Sequence, residues 1–338
     1  MKTRQLNLFP SASKLRRYDE KTPSFIKTIN RIIDFEVFRP ELEVHLDYKS
    51  DKIKGGRPPL DAVQMFKILI IAKFHDYADD RMEFAMHDSL SIQKFLGFDQ
   101  NDEMPDSKTI WSFRNRLAQN GAFDALFQKL LNLIKAAGFE AKEGQVVDAT
   151  IIETRRPTSR EDDEEIKENA KRQIDEDATF TKKHGKTYHG YKGHIRIDAQ
   201  NKFVQVVKVT TASTHDSQVD LIDTVSKQDF YGDSAYKSAE MDERLVKLGI
   251  ANHISYRAYR NKPLTKEQKA INKENSSVRA KVEHTFGNIK RRAKKCDIRC
   301  IGMVRATLDI GLKFFIYNMD RMRHLMLERE EKERLARL

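Results

Sequence analysis

The sequence predicts an α/β fold that follows an all-helical N-terminal segment. Apolar residues recur at helical spacing through the first 140 residues, whereas short β-type runs alternate with helical ones from about residue 144 onward. In that second part the predicted order is strand, strand, strand, helix, strand, helix, strand, helix. This order describes an α/β sheet that begins with an antiparallel hairpin. A chain of 338 residues is long enough for two domains.

The composition favours a polyanionic partner and argues against a membrane protein. The formal net charge is +11, from 62 Lys and Arg and 51 Asp and Glu residues, and a basic surplus of this size attracts nucleic acid. The apolar run at 68–72 is far too short for a membrane span. The first residues lack an apolar signal core, so a cytoplasmic location is expected. Cys296 and Cys300 have no partners at zinc spacing, which favours reduced thiols.

Five helices are predicted before residue 140, from apolar periodicity and from Pro and Gly at the helix ends. They cover residues 25–38, 60–75, 81–95, 107–120 and 122–137, with a hinge-like Gly–Pro break at 55–59. The fourth of these helices carries three basic residues near Trp111, namely Lys108, Arg114 and Arg116. It is either the DNA-facing helix of a helix-turn-helix arrangement or an ordinary bundle helix with its aromatic residues in the core.

The second part of the chain contains the predicted sheet. Strands are predicted at 144–152, 188–197, 203–212, 230–233 and 251–255, and helices at 216–226, 239–248, 276–295 and 308–317. Residues 155–186 are rich in charge and poor in apolar side chains, so this segment is predicted to be an insertion loop outside the core. The charged residues near the C-terminus are predicted to form a solvated tail.

Three acidic residues lie at informative positions in this pattern. Asp148 and Asp233 lie in or just after buried strands, where a carboxylate is costly unless it is paired or binds a metal. Glu283 shares one edge of the 276–295 helix with Arg279 and Lys290. Each acid alone has an ordinary alternative, which is a turn or capping residue for either Asp and a solvated face with ion pairs for the helix. Together the three acids suit a hard cation bound by oxygen ligands.

These motifs resemble those of bacterial insertion-sequence transposases of the DDE type, in the group named after insertion sequence five. The tail signature of that group is Tyr, two residues, Arg, three residues, Glu, six residues, Lys, and Arg279, Glu283 and Lys290 fit its spacing. Ser276 stands where the group has Tyr. The resemblance extends to VVDATII around Asp148, YHGYKGHIRID at 188–198, TTASTHDSQ at 210–218, DSAY at 233–236 and YNMDR at 317–321.

The resemblance implies a fold, a reaction and partners. It implies an N-terminal helical domain at 1–140 that binds DNA and can dimerise, a ribonuclease-H-like catalytic domain at 141–325 and a charged tail at 326–338. Asp148, Asp233 and Glu283 would be the catalytic residues and would hold two Mg²⁺ or Mn²⁺ ions for in-line phosphoryl transfer. The implied partners are double-stranded DNA, as terminal inverted repeats and as target, and a second copy of the chain in a homodimer. The implied location is the cytoplasm, at the nucleoid.

Basic residues near the acids are the predicted DNA contacts. Arg279 and Lys290 are placed to contact phosphates beside the scissile bond. A cationic run that includes Lys290, Arg291 and Arg292 would follow the DNA backbone, unless it only keeps the chain soluble. Lys192 and His194 share one face of a predicted strand, and that face either points to the active site or buries a satisfied histidine.

Two other functions remain open at this point. One is a metal-dependent nuclease of the same fold without strand transfer. The other is a DNA-binding regulator or domesticated protein without catalysis, which the departure at Ser276 favours and the three intact acids oppose. A strand-transfer assay separates the first from a transposase, and inverted repeats on both sides of the gene would favour transposition.

Overall fold

The computed structural model of the chain describes residues 24–47, 59–99, 102–157, 174–183, 185–259, 262–292 and 297–337. The predicted break at 55–59, apart from Pro59, lies outside the described residues, as does the cationic segment 293–296. The helices are α1 (Phe25–Ile32), α2 (Arg39–Leu46), α3 (Ala62–His75), α4 (Asp79–Asp88), α5 (Leu90–Leu96), α6 (Ser107–Gln119), α7 (Ala122–Ala136), α8 (Ala239–Leu248), α9 (Lys266–Arg292) and α10 (Met303–Ala336). The strands are β1 (Gln145–Glu153), β2 (Thr179–Lys183), β3 (Lys186–Asp198), β4 (Val204–Thr211), β5 (Phe230–Gly232) and β6 (Asn252–Ile254).

Three of the helices that precede β1, namely α3, α5 and α6, begin at capping side chains. The carboxylate of Asp61 accepts a hydrogen bond from the Gln64 backbone N–H at 2.9 Å and starts α3. Asp106 accepts one from the Thr109 N–H at 2.7 Å and starts α6. Such caps satisfy backbone donors that the first helical turn leaves unpaired. The helices predicted at 60–75, 107–120 and 122–137 are confirmed within two residues at each end.

Two predicted helices are each divided in the structure. The helix expected at 25–38 ends as α1 at Ile32, and Pro40 lies in the first turn of α2 instead of terminating a helix. Proline is tolerated there because the first turn has no partner for its missing N–H. The helix expected at 81–95 is interrupted at Ser89, whose side chain accepts a hydrogen bond from the Ile92 N–H at 3.4 Å and caps α5.

The described strands form one six-stranded mixed sheet. β3 pairs antiparallel with β1, β2 and β4, while β1, β5 and β6 follow one another as parallel neighbours. The predicted hairpin, now β3 and β4, and the predicted strands β1, β5 and β6 are therefore confirmed. In the register of β1 with β3, Asp148 lies opposite Ile195, and Ala149 lies opposite His194.

The helix predicted at 216–226 is wrong. The structure has only a short 3₁₀ turn at Asp216–Gln218. After it, Asp220 accepts a hydrogen bond from the Ile222 N–H, and Asp223 accepts hydrogen bonds from the backbone N–H groups of Val225 and Ser226. Asp side chains that bind nearby backbone donors compete with helical hydrogen bonds, so the segment forms turns although its apolar spacing suits a helix.

The charged segment 155–186 does not lie wholly outside the core, contrary to the sequence expectation. Its residues Thr179–Lys183 form β2, which pairs along the first part of β3. Asp175 is buried and accepts a hydrogen bond from the Tyr191 hydroxyl at 2.8 Å. The pattern missed this strand because its side chains are mostly exposed and carry no apolar alternation. Residues 158–173 lie outside the described residues.

The long helix α10 joins the helical part of the molecule to the sheet. The ring of Phe315 lies 5.7 Å from those of both Phe38 and Phe66. One turn further on, Asn318 donates to the Val204 carbonyl at 2.7 Å and accepts from the Val204 N–H at 2.8 Å. The predicted apolar helix 308–317 thus continues into an exposed stretch at 328–337. In the described part of the chain, no helix combines the length and apolarity that a membrane span requires.

Candidate active site

Asp148 lies in the middle of β1, and its side chain is half-buried. Its Oδ1 accepts a hydrogen bond from the Ala149 backbone N–H at 2.7 Å. Burial raises the pKa of Asp148 to about 6, and the negative charge of Asp233 adds to this rise. The hydrogen bond from Ala149 and the positive charges of Arg279 and Lys183 oppose it. Asp148 is therefore a half-buried carboxyl group that lacks full compensation for its charge.

The parallel register of β1 and β5 explains why Asp233 lies near Asp148. Val146 is the register partner of Tyr231, and the same offset continued by two residues sets Asp233 beside Asp148. The Asp233 side chain also accepts a hydrogen bond from the Ala235 N–H at 2.8 Å and caps a 3₁₀ turn. The capping role considered from sequence is thus real, and it coexists with a position beside the first acid.

Arg279 projects from α9 toward this acid pair. Its Nη1 donates to the Ser255 hydroxyl at 3.4 Å, and its buried Nε has no hydrogen-bond partner among the described residues. Its positive charge lowers the pKa of Asp148. Arg279 therefore supplies the compensating charge that lies next to the two carboxylates.

Glu283 follows Arg279 by one turn of α9, and its side chain is exposed. The charges that act most on Asp148 are those of Asp233, Arg279 and Lys183, and Glu283 is not one of them. Within the described residues, no group of three or more His, Cys, Asp and Glu side chains is arranged to hold a metal ion. The structure thus brings two of the three predicted acids together and leaves the third at the surface of α9.

The three basic residues at the end of α9 have different surroundings. Lys290 and Arg291 are exposed. Arg292 instead forms an ion pair with Asp320 of α10 and lies over the Phe74 ring, 5.1 Å from its centroid. Burial lowers the pKa of Arg292, and the nearby Asp320 charge opposes this. The guanidinium group of Arg292 thus links two helices, unlike the charged groups of its exposed neighbours, and a DNA contact by Arg292 stays a prediction.

The side chains of Lys192 and His194 are on one face of the sheet, and the side chain of Asp148 is on the other. Cross-strand partners share a face, and His194 is paired with Ala149 while Asp148 is paired with Ile195. The Lys192 ammonium donates to Asp216 at 2.9 Å and to the Thr214 carbonyl at 2.7 Å. His194 is fully buried, and its Nε2 lies 2.8 Å from the Thr210 hydroxyl. Burial lowers the pKa of His194 to about 4. Its buried Nδ1 has no hydrogen-bond partner among the described residues, so the histidine is buried but only its Nε2 is satisfied.

The predicted DNA-facing helix, α6, is only partly exposed. Arg114 makes a two-pronged contact with Asp79 of α4, with both N–O distances at 2.7 Å, so its guanidinium group links two helices instead of facing solvent. Lys108 is exposed and Arg116 is half-buried. Phe113 is buried in the core, whereas Trp111 is 49% exposed. The DNA-facing interpretation therefore fits the exposed side of α6 with Lys108, and the bundle-helix interpretation fits the buried side with Phe113.

Two residues beside the acid pair were not among the predicted site residues. The Tyr236 side chain is buried, and its hydroxyl has no hydrogen-bond partner among the described residues. Burial raises the pKa of Tyr236, and the charges of Asp216, Asp148 and Asp233 raise it further. Lys183 lies in β2, within the segment expected to be a loop. The position of Tyr236 in the DSAY motif could have identified it as a site residue, whereas nothing in the sequence indicated that the Lys183 charge acts on Asp148.

Comparison with known proteins gives two family matches. The model described as Transposase DDE domain matches residues 140–319, which is more than half of the chain. The model described as Transposase domain (DUF772) matches residues 15–116. No solved structure matches the chain.

Proposed function

The chain belongs to the Transposase DDE domain family, whose members cut and join DNA, and from this premise we propose its specific reaction. The protein binds the terminal inverted repeats of its element, cleaves the DNA at the ends and joins the 3′-hydroxyls to target DNA. We also propose that it belongs to the group named after insertion sequence five, because Arg279, Glu283 and Lys290 have the spacing of that group's signature.

The observation that carries this proposal is the pairing of Asp148 with Asp233. Adjacent parallel strands bring both acids to one place, where partial burial and the Asp233 charge raise the pKa of Asp148 to about 6. A carboxyl group whose charge lacks full compensation, with a second carboxylate beside it, fits a hard divalent cation, which prefers oxygen ligands. Asp148 and Asp233 would hold the ions, and the Glu283 side chain would have to turn inward from α9 to complete the set.

Two Mg²⁺ or Mn²⁺ ions would supply Lewis acidity at the scissile phosphate. The residues of the chain itself bind and orient the DNA. Arg279 lies beside the acids, where it would contact a phosphate oxygen once the DNA end is bound. Lys290, Arg291 and Lys108 are exposed cations that would contact the DNA backbone more distantly. Arg114, Arg292, Lys192 and His194 are engaged within the protein, so we assign them structural roles.

We propose a ribonuclease-H-like topology for the catalytic domain at 141–325. The sheet order β4–β3–β1–β5–β6, with an antiparallel first half and a parallel second half, supports it. The helices within 1–140 would form the DNA-binding domain, and residues 326–338 the charged tail. A homodimer at the nucleoid would hold both element ends for the coupled cuts.

The acid assignment is tested by Asp148→Asn, Asp233→Asn and Glu283→Gln. Because each change removes a charge that would hold a catalytic ion, we expect cleavage and strand transfer to fall by about 10³-fold or more. Binding of the DNA end should persist, as an electrophoretic mobility assay would measure. Glu267→Gln, an exposed position on the same helix, is the matched control and should retain activity.

The outcomes also separate the alternative functions. Near-normal cleavage by the Glu283→Gln variant would remove Glu283 from the site. Cleavage without joining by the unaltered protein would identify a nuclease, and DNA binding without cleavage would identify a regulator.

A further inference from the structure

A basic β-ribbon extends from the sheet beyond the end of β1. We define the ribbon as residues 179–183 of β2 and residues 186–190 of β3, which pair with each other from Thr179 opposite Gly190 to Lys183 opposite Lys186. β1 pairs with β3 only from Gly190 onward. The ribbon is thus the part of β3 that extends past the end of β1, together with its own partner strand.

Close backbone contacts and hydrogen bonds attach the base of the ribbon to the sheet. Gly190 has a φ of +151°, and a Cβ at this position would lie 2.1 Å from the Ile152 carbonyl oxygen, so only glycine fits this close approach. The Thr154 N–H donates to the His189 carbonyl at 3.0 Å, and the Ser213 N–H donates to the Thr179 hydroxyl at 2.9 Å. These bonds fix the direction in which the ribbon leaves the sheet.

The surface of the ribbon is cationic and partly aromatic. Lys182, Lys183 and Lys186 are exposed, and within the described residues none of them forms an ion pair. Lys186 lies 5.0 Å from the centre of the Tyr188 ring. Phe180 is 54% exposed although its ring packs 4.5 Å from that of His189. The ribbon residues include no Asp or Glu.

The ribbon continues the strand that borders Asp148. β3 carries both residues 186–190 of the ribbon and Ile195, which is the register partner of Asp148. Exposed lysines on this extension, which have no ion pair among the described residues, complement a polyanion that runs along the sheet toward Asp148. The transposase family implies that this polyanion is DNA.

We propose that the basic ribbon is a DNA-binding element that lies in a groove of the duplex end and places the scissile phosphate at Asp148 and Asp233. A two-stranded ribbon fits the major groove of B-DNA. Lys182, Lys183 and Lys186 contact backbone phosphates, and Phe180 packs against the sugar or base edges. The inference rests on the proposed function, because it takes the acid pair as the place of cleavage.

The first test measures DNA binding by the triple variant Lys182→Ala, Lys183→Ala, Lys186→Ala. The probe is a labelled duplex that carries the DNA flanking the gene. We expect weaker binding, and a slope of log affinity against log salt that falls by about 0.9 for each phosphate that the variant no longer neutralises. The matched control replaces Lys135, Lys247 and Lys332, three exposed lysines on other elements, and changes the net charge equally. Circular dichroism verifies that both variants fold.

The second test locates the ribbon on the DNA. A photo-crosslinking phenylalanine analogue at Phe180 should join the protein to nucleotides next to the cleavage position. The control position is Val246 on α8, which is 76% exposed on a helix that packs against Val147 and hence against the opposite face of the sheet from Asp148. Equal affinity and salt slope in both triple variants, with no crosslink from position 180, would overturn the proposal.

The two proposals fail in different ways. If the unaltered protein binds DNA without cutting it, and the ribbon variant still loses affinity relative to its control, the ribbon assignment stands while the proposed reaction falls. If the protein cuts DNA and the ribbon variant binds and cuts normally, the reaction stands while the ribbon assignment falls.

Discussion

At the residue scale, the surroundings of Asp148 oppose the ionisation of its carboxyl group. The folded chain retains the Asp148 proton up to about pH 6, whereas an ordinary Asp releases it near 3.8. Between these values the folded state binds more protons than the unfolded state, so the free energy of unfolding falls as pH rises. The shift corresponds to about 3 kcal/mol lost once Asp148 is ionised. A bound divalent cation would offset this cost.

Asp148→Asn should therefore stabilise the metal-free protein at high pH. We expect the free energy of unfolding, measured by denaturant titration with a chelator present, to rise by up to about 3 kcal/mol at about pH 8 and by less at about pH 5. Added Mg²⁺ should stabilise the unaltered protein but not the variant. Asp124→Asn, an exposed position on α7, should show neither effect. A gain independent of pH would contradict the electrostatic explanation.

The neighbouring residues Arg291 and Arg292 should respond differently to the same change. Arg292→Ala removes one of the two ion-pair partners of Asp320, which keeps Arg323, and also removes the contact with the Phe74 ring, so we expect a loss of about 2 kcal/mol in the free energy of unfolding. Arg291→Ala removes an exposed side chain, so stability should change by less than about 0.5 kcal/mol. DNA affinity and its salt dependence should fall instead. Thermal melts and binding titrations on both variants distinguish the two roles.

At the element scale, close helix packing depends on where small residues lie. Gly311 of α10 faces α7, and a Cβ at that position would lie 2.5 Å from the Phe123 ring. Gly287 of α9 has open space around the same position. Glycine lowers helix stability unless such contact requires it. Both glycines are in helices, but only Gly311 is in close contact with a neighbouring helix.

Alanine at these positions should have effects of opposite sign. We expect Gly311→Ala to lower the free energy of unfolding by about 1–3 kcal/mol, because the Phe123 ring must shift. Gly287→Ala should raise it by up to about 1 kcal/mol through helix propensity alone. Equal effects in a denaturant titration would mean that α7 and α10 do not pack as closely as the structure has them.

At the scale of the whole molecule, the helices and one face of the sheet share a single core. One continuous apolar cluster includes Phe66 of α3, Phe127 of α7, Ile195 of β3 and Phe315 of α10. The buried Asp309 of α10 also pairs with Lys73 of α3. Because α10 packs on both the N-terminal helices and the sheet, neither of these two parts buries its apolar surface without α10.

The chain should therefore unfold in one cooperative transition. Its only tryptophan, Trp111, reports on the helical part, and far-ultraviolet circular dichroism reports on the whole molecule. Coincident transitions by the two probes are expected. Two separate transitions would instead favour domains that fold independently on either side of residue 140.

The sequence by itself determined the elements whose signals are local. The apolar period of α3 and α7 and the hydrophobic runs of β1 and β5 each act within a few residues. It also singled out Asp148 and Asp233, because a carboxylate in a buried strand is unusual wherever the strand goes. The segment 216–226 shows the limit of such signals, since Asp side chains there override a helical apolar pattern.

Only the tertiary structure decided which of the candidate residues meet. The register of β1 with β5 brings Asp233 to Asp148, and the packing of α9 on α10 turns Arg292 inward while Arg291 stays exposed. Glu283 remains outside the pair. The physical reason is that pairing between distant segments depends on the whole sheet and its covering helices, whereas charge and polarity along the sequence do not record which partner a side chain will meet.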